Sequence, residues 1–288
     1  MESREIGFIG FGVVGQTFAQ AMQECGAKIY YYDVLGENHQ VARPSFLSLE
    51  ALVGTCDILI STVVSHVALD VAQQASAFLR PGKTYADFNS TSPAIKRTIA
   101  QIICSTHADF VEGAILSAVG AVGARASILL SGPTAEAFSR TLKRLGLVNV
   151  KYFSPQYGDA STVKMLRSIF SKGVECLLVE MLAAGKRAGV ASYLWQDIVS
   201  FMSDNPFETV AENWVKTHVT ACDRRYHEMS QVLETLKELG IEPIMTRATE
   251  AFFKRSVDLQ PRKQFPDDPD SFESVAEFFA SLRPAPIV

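Results

Sequence analysis

A glycine-rich turn near the start of the chain constrains its fold more than any other feature. The stretch "GFIGFGVVGQ", residues 7–16, follows an apolar run and leads into a segment with helical spacing. Gly10, Gly12 and Gly15 fit G-x-G-x-x-G, and between a strand and a helix each glycine has a physical task. Gly10 allows the tight turn, Gly12 admits backbone N–H groups to a pyrophosphate, and Gly15 lets the helix pack against the strand. The positive end of the new helix faces the anion. Phe11, Val13 and Val14 supply the rest of the turn's backbone and join the glycines as expected cofactor-binding residues. The next apolar run, "AKIYYYDV", holds Asp33, 18 residues past Gly15. A carboxylate there accepts hydrogen bonds from a ribose diol and repels a 2′-phosphate. The pattern predicts a dinucleotide-binding unit, with NAD favoured. NADP stays open, because Arg43 is near enough in sequence to meet a phosphate.

The first half of the chain alternates short apolar runs with amphipathic stretches, as a parallel sheet with crossover helices does. Seven strands are expected, in "REIGFIG", "AKIYYYDV", "CDILISTVV", "KTYADFN", "ADFVEGAI", "ASILLSG" and "NVKYF". Helices are expected at 14–24, 66–78, 93–104 and 134–145. Continuous hydrophobicity in "ILISTVV" suits a strand buried on both faces. From residue 158 to about 188 no proline interrupts the helical spacing, and further helical stretches follow at 193–203, 205–220, 222–239 and 246–256. "QPRKQFPDDPDSF" reads as loop and "SVAEFFASL" as a last short helix. The expected architecture is α/β: a Rossmann-type doubly wound sheet over residues 1–155, then an all-α substrate or dimerisation domain over 156–288.

Bulk properties exclude several classes. The formal charge is −4, from 27 basic and 31 acidic residues, with no concentrated basic block. That balance points away from nucleic acid. No apolar run approaches the roughly 18 residues needed to span a bilayer, and with Arg4 and Glu5 leading straight into a strand-like run no secretory leader is expected. Neither observation suggests a membrane partner, and a cytoplasmic location is expected. Five isolated cysteines and five scattered histidines show no metal-ligand spacing, so reduced thiols and no metal are expected.

"DFNSTSP", residues 87–93, ends one of the candidate strands and enters a helix through Pro93. A helix cap explains one hydroxyl residue here. It does not explain the whole segment at a strand's carboxyl end, where ligands of such folds lie. At this point the chain resembles the β-hydroxyacid dehydrogenase superfamily, which includes 6-phosphogluconate and 3-hydroxyisobutyrate dehydrogenases. "GFIGFGVVG" resembles its dinucleotide motif. "DFNSTSP" is similar to its D-x-S-T-x-x-P segment, with Asn89 and Ser90 in the Ser-Thr places. "GDASTVKMLRS" resembles its catalytic helix motif G-x-G-x-x-x-K-x-x-x-N, with Lys164 in the lysine position. The match covers about residues 4–190. It is most like a poorly characterised branch of phosphogluconate-dehydrogenase-like oxidoreductases, to which "SPAIKR", "GDASTVKMLRSIFSKG" and "RRYHEM" are similar. Two positions depart from the family: its asparagine is Ser168 here, and its D-x-P-V-S-G-G segment becomes "EGAILSAVG" (112–120), with Ser117 approximately in the serine place. The usual substrate pocket is therefore rebuilt.

At about 100° per residue, Lys164, Ser168, Ser171 and Glu175 fall within an arc of about 60° on one helix. A solvated face would carry more charge than this stripe does. Oxidising an alcohol needs a base to take the hydroxyl proton as hydride leaves. A lysine partly withdrawn from water can have its pKa lowered enough to serve. The resemblance assigns that role to Lys164, with Ser168 one turn on to position substrate or lysine. Val63, Val64 and Asn89 are expected beside the ribose and nicotinamide, and Ser90 and Ser117 beside the substrate. Arg225, in "CDRRYHEMSQ", is the candidate carboxylate clamp. A surface ion pair is an equal reading of it, and at most one of Arg224 and Arg225 is expected to face a pocket. Lys172 reads as surface, and Trp195, Trp214, Phe201 and Phe207 as core or dimer interface. His66 and His107 carry no signal.

The leading expectation is hydride transfer between NAD, or NADP, and a small β-hydroxyacid-like or related polar alcohol. Decarboxylation would follow where the product is a β-keto acid. A homodimer built through the helical domain follows from the family resemblance. Two rival readings keep the cofactor: an imine reductase on the same two-domain plan, and a dinucleotide-binding sensor without turnover. Retention of Lys164 argues against the first, since imine reductases usually carry another proton donor. Ser168 and the altered 112–120 segment leave room for the second.

Overall fold

The computed structural model describes residues 5–36 and 45–282, and Arg43 lies outside them. The chain divides into two compact units, Met1–Ile169 and Phe170–Val288.

The first unit is built on one eight-stranded sheet. Its strands are β1 (Glu5–Ile9), β2 (Lys28–Tyr32), β3 (Ser45–Phe46), β4 (Ile58–Ser61), β5 (Thr84–Asp87), β6 (Asp109–Ile115), β7 (Ile128–Ser131) and β8 (Val150–Ser154). They lie side by side in the order β3-β2-β1-β4-β5-β6-β7-β8. The connecting helices are α1 (Val13–Glu24), α2 (Leu49–Thr55), α3 (Ala68–Ser76), α4 (Pro93–Cys104), the short α5 (Val119–Val122) and α6 (Ala135–Arg144). Chain order runs outward from β1 in both directions, so the strand sequence reverses between β1 and β4. That reversal is the doubly wound switch point, where a crevice opens beyond the carboxyl ends of the strands.

Each strand sends successive side chains to opposite faces. Phe8, Tyr31 and Ile60 enter one buried cluster with Phe18 and Met22 of α1. Ile9, Leu59 and Tyr85 enter another with Ala72 of α3 and Ile99 of α4. Helices thus cover both faces, and the uninterrupted apolar run of β4 is buried at every position.

Three details depart from expectation. The two-residue β3 and the seven-residue α2 were not anticipated, because neither is long enough to show a period. Ser48 caps α2, its hydroxyl accepting from Ala51 N at 3.2 Å. The sheet is also not wholly parallel: β7 runs antiparallel to β6. Residues 116–127 hold only α5 and a single 3₁₀ turn. That is too little chain for a crossover helix, and a reversal needs much less.

The 30-residue α7 (Asp159–Ala188) starts in the first unit and carries Lys164. The first unit ends within this helix rather than ahead of it, at Ile169. The second unit is helical, with α8 (Ala191–Asp204), α9 (Phe207–Lys216), α10 (His218–Glu238), α11 (Ile244–Asp258) and α12 (Phe272–Ser281). Within it α11 lies along α10, and Glu180 accepts from the backbone N–H groups of Met245 and Thr246, capping α11. Trp195, Phe201, Phe207 and Trp214 are all more than two-fifths exposed, so none of them is a core residue of this chain.

Candidate cofactor pocket and active site

The glycine turn is held by its neighbours. Gly10 N donates to Tyr32 O at 2.9 Å, and Thr62 Oγ1 donates to Gly10 O at 2.7 Å. Gly10 has φ +86°, and a Cβ on it would stand 2.7 Å from Val63 Cγ1. Only glycine suits that backbone. A Cβ on Gly15 would stand 2.7 Å from the Gly10 carbonyl oxygen, which is why the helix can lie so close to the strand. Gly12 is different: a Cβ there would meet nothing within 4 Å. Its lack of a side chain serves no internal packing and leaves open the space in front of α1, whose first N–H groups have no partner within the helix.

Asp33 closes the other side of the turn. One carboxylate oxygen accepts from Phe11 N at 2.7 Å and the other from Leu35 N at 2.9 Å. The Phe11 ring stacks on Tyr31 with centroids 4.2 Å apart. Phe11, Gly12, Tyr31, Asp33, Leu35 and Gly36 border a cavity of about 360 Å³. Val13, at the start of α1, is two-thirds exposed.

A second cavity, of about 560 Å³, adjoins the carboxyl ends of β4 and β5. Val14, Val63, Val64, Asn89, Ser90, Ser117 and Lys164 all line it, together with His66, which carried no signal in the sequence. Asn89 is buried. Its Nδ2 donates to Ser61 Oγ at 2.9 Å and its backbone N to Asp87 Oδ1 at 2.8 Å, while its Oδ1 has no partner. An unpartnered buried oxygen is costly unless a ligand completes it. The open space at Gly12, the carboxylate of Asp33 and this oxygen fit a dinucleotide laid across the switch point.

The Lys164 amine donates to Ser90 Oγ. Burial, helped by the cation of Lys96, lowers its pKa to about 8. Lys96 is itself fully buried, in an ion pair with Asp87 Oδ1 at 2.7 Å. Ser117 faces the same cavity, and its hydroxyl accepts from Ser127 N at 3.2 Å.

Several comparisons extend this geometry. Residues 1–75 match the NAD-binding domain of D-isomer-specific 2-hydroxyacid dehydrogenases, and residues 186–256 match DUF1932, a domain of unknown function. The chain is 24% identical to the L-threonate dehydrogenase of Cupriavidus necator over 88% of its own length and 91% of that protein's. It is similar in fold to a Myxococcus stipitatus imine reductase variant solved in complex with NAD+, at TM-score 0.79 and 19% identity, covering 96% of this chain and 99% of that one. It is 33% identical to a conserved protein of unknown function with structural similarity to 3-hydroxyacid dehydrogenases, covering 89% of this chain and 99% of that one at TM-score 0.58. The chain belongs to the β-hydroxyacid dehydrogenase superfamily.

As a superfamily member it is an NAD(P)-dependent oxidoreductase with an NAD-binding N-terminal region. Ser168 is not among the residues that line the cavity of about 560 Å³. Ser168 is turned along its own helix, its hydroxyl donating to Lys164 O at 2.9 Å. A helical serine with no better partner commonly bonds back to the carbonyl four residues earlier. Arg225 belongs to the second unit, where it donates to Thr217 Oγ1 at 2.7 Å. It borders a cavity of that unit, and Arg224 borders it too, although at most one of the two was expected to face a pocket. Both side chains are long enough to reach it from adjacent helical positions, and Arg224 is also paired with Glu228. On the helix carrying the stripe, Lys172 pairs with Glu175 at 3.1 Å, both exposed.

Proposed function

We propose that this protein transfers hydride between NAD and a β-hydroxyacid-like or related polar alcohol, with Lys164 moving the hydroxyl proton. The observation carrying this reading is the half-buried Lys164 amine, held against Ser90 on the wall of the larger cavity with its pKa lowered to about 8. Near neutral pH such an amine exists in both protonation states, as a general acid–base needs. In the oxidising direction Lys164 accepts the alcohol proton, and in the reducing direction its ammonium returns it. Ser90 fixes the amine's place, and Ser117 on the same wall offers a hydroxyl to the substrate. The N–H groups of residues 12–15 would hold the pyrophosphate, and Asp33 the ribose diol. Val63, Val64 and Asn89 would flank the nicotinamide end. NAD, when bound, takes up or gives the hydride at its nicotinamide ring.

The exposed aromatic and aliphatic side chains of the helical unit, Trp195, Phe201 and Trp214 among them, support a homodimer built through that unit. No described helix is long and apolar enough to cross a membrane, and the cytoplasm remains the proposed location.

The test replaces Lys164 with alanine and follows reduced nicotinamide against panels of hydroxyacids and cyclic imines. Turnover of a hydroxyacid should fall by about 10² or more, with NADH affinity nearly unchanged. Undiminished turnover refutes the role of Lys164. Activity confined to the imine panel would replace alcohol oxidation with imine reduction. Tight NADH binding with no turnover on either panel would make the protein a sensor.

A further inference from the structure

Glu112 stands at the centre of β6 with no solvent exposure, and both of its oxygens are engaged. Oε1 accepts from Ser161 N at 2.6 Å and from Ser161 Oγ. Oε2 accepts from Ser131 Oγ at 2.9 Å and from Gly158 N. Ser131 Oγ in turn accepts from Ala160 N at 3.2 Å. Three N–H groups at the start of α7 are thus satisfied from the sheet.

The helix cannot cap itself there. Thr162 N donates to Gly158 O at 2.8 Å, so the capping position is a glycine without a side chain. Gly158 has φ +100°, and a Cβ on it would stand 2.5 Å from Arg97 Nη1. A carboxylate at a helix N-terminus also meets the positive end of the helix dipole. Lys164 follows Ser161 by three residues, about 4.5 Å along the axis and on a neighbouring face.

The other half of the Lys164–Ser90 contact is tied down in the same way. Asp87 pairs in register with Glu112 on the adjoining strand. Its Oδ1 accepts from Lys96 Nζ at 2.7 Å and from Asn89 N at 2.8 Å, which holds the segment carrying Ser90. Two neighbouring carboxylates therefore set the two sides of one contact.

We propose that Glu112 is a positioning residue for the reaction, anchoring the first turn of α7 so that the Lys164 amine stands against Ser90 and the cavity wall. This rests on Lys164 as the proton carrier. Charged or titratable groups on the elements around the amine include His66 after β4, Asp87 of β5, Lys96 and Arg97 of α4, Glu112 of β6, and Asp159 and Arg167 of α7. Lys96 is the one that lowers the amine's pKa alongside burial. Glu112→Gln keeps the size but turns an N–H₂ group toward N–H and O–H donors, loosening the turn and wetting the amine.

The experiment titrates the full chain, without substrate or cofactor, by NMR of ¹³C-labelled lysine, the Lys164 signal being assigned with Lys164→Met. The wild-type midpoint should be near 8, and Glu112→Gln should raise it by about one unit or more, a tenfold change in protonation ratio. Ser161→Ala, which removes one donor and leaves the charge, should raise it less, and it serves if Glu112→Gln does not fold. A wild-type midpoint near 8 that neither folded variant moves overturns the anchoring alone. A wild-type midpoint near 10.5 overturns the proton-carrier reading and this proposal with it.

Discussion

Gly12 and Gly15 separate what the glycine turn does for the fold from what it does for a ligand. Gly12 has φ −74° and ψ −163°, which alanine adopts freely, and its Cβ would meet open space. Gly12→Ala gains about 0.4–1 kcal/mol from a stiffer unfolded chain. It loses a similar amount because alanine is a poorer N-cap than glycine. The two effects nearly cancel. Gly15→Ala gains about 1 kcal/mol of helix propensity, but its Cβ would stand 2.7 Å from a backbone oxygen and 3.0 Å from Thr62 Oγ1. A carbonyl cannot rotate away as a side chain can, so an overpacking cost of about 1–3 kcal/mol dominates. Thermal melting should therefore leave Gly12→Ala near wild type and lower Gly15→Ala by up to about 8 °C, a net loss of as much as about 2 kcal/mol at about 2–4 °C per kcal/mol. NADH titration by fluorescence should show more. A methyl group in the phosphate space denies the anion at least one charge-assisted hydrogen bond, about 1.5–3 kcal/mol, so affinity in Gly12→Ala falls by about tenfold to 150-fold. Wild-type NADH affinity in a stably folded Gly12→Ala would refute the phosphate cradle.

Asp33→Ala removes the acceptor for Phe11 N and Leu35 N. It should weaken NAD by about tenfold or more and narrow any preference over NADP, as competitive titration of the two would show. Lys96→Met strands the Asp87 carboxylate in the core. Chemical denaturation should record a loss of about 3–5 kcal/mol. Oxidation of a hydroxyacid should rise with pH through about 8 in a turnover profile, since the base form of Lys164 appears above its lowered pKa. His218 is packed among Phe252, Phe253 and Phe279, with its ring hydrogen-bonded to Ser256. Burial first, then the Arg225 cation, lowers its pKa, so the unfolded chain takes up a proton at a higher pH than the folded one. Stability should fall as pH drops through about 6.5, and His218→Phe should flatten that part of a melting-versus-pH curve.

Long periodic elements were legible in the sequence and short ones were not. Six of the seven expected strand segments contain a strand whole and the seventh, "NVKYF", all of β8 but Ser154, and α4 begins and ends where Pro93 and the end of its apolar spacing place it. The expected helix over 205–220 instead ends at Lys216, and α10 begins at His218. Nothing in the local periodicity marks that joint, because both helices present apolar residues on either side of it. The antiparallel β7 follows from the length of the preceding connection, a quantity that hydrophobic pattern does not report.

At the site, the glycine turn and Asp33 could be placed together from spacing, whereas the charged pairs that close up in the folded chain could not. Gly10, Gly12, Gly15 and Asp33 form one local strand–turn–helix–strand unit, so a motif captures them. Lys96 and Glu112 offered a different signal. Each is a charged residue in a stripe otherwise made of buried apolar side chains: Lys96 on the face of Ile99, Ala100 and Ile103, and Glu112 within "DFVEGAI". A charge so placed must be paired or fully hydrogen-bonded, or the element would not bury it. The partners could not be named from sequence, since Asp87 meets Lys96 across a strand–helix connection and Ser161 meets Glu112 from 49 residues away. Ser168 shows the converse. Helical spacing aligned it with Lys164, but a short hydroxyl has its own backbone carbonyl within reach, and that local bond outcompetes the more distant pocket.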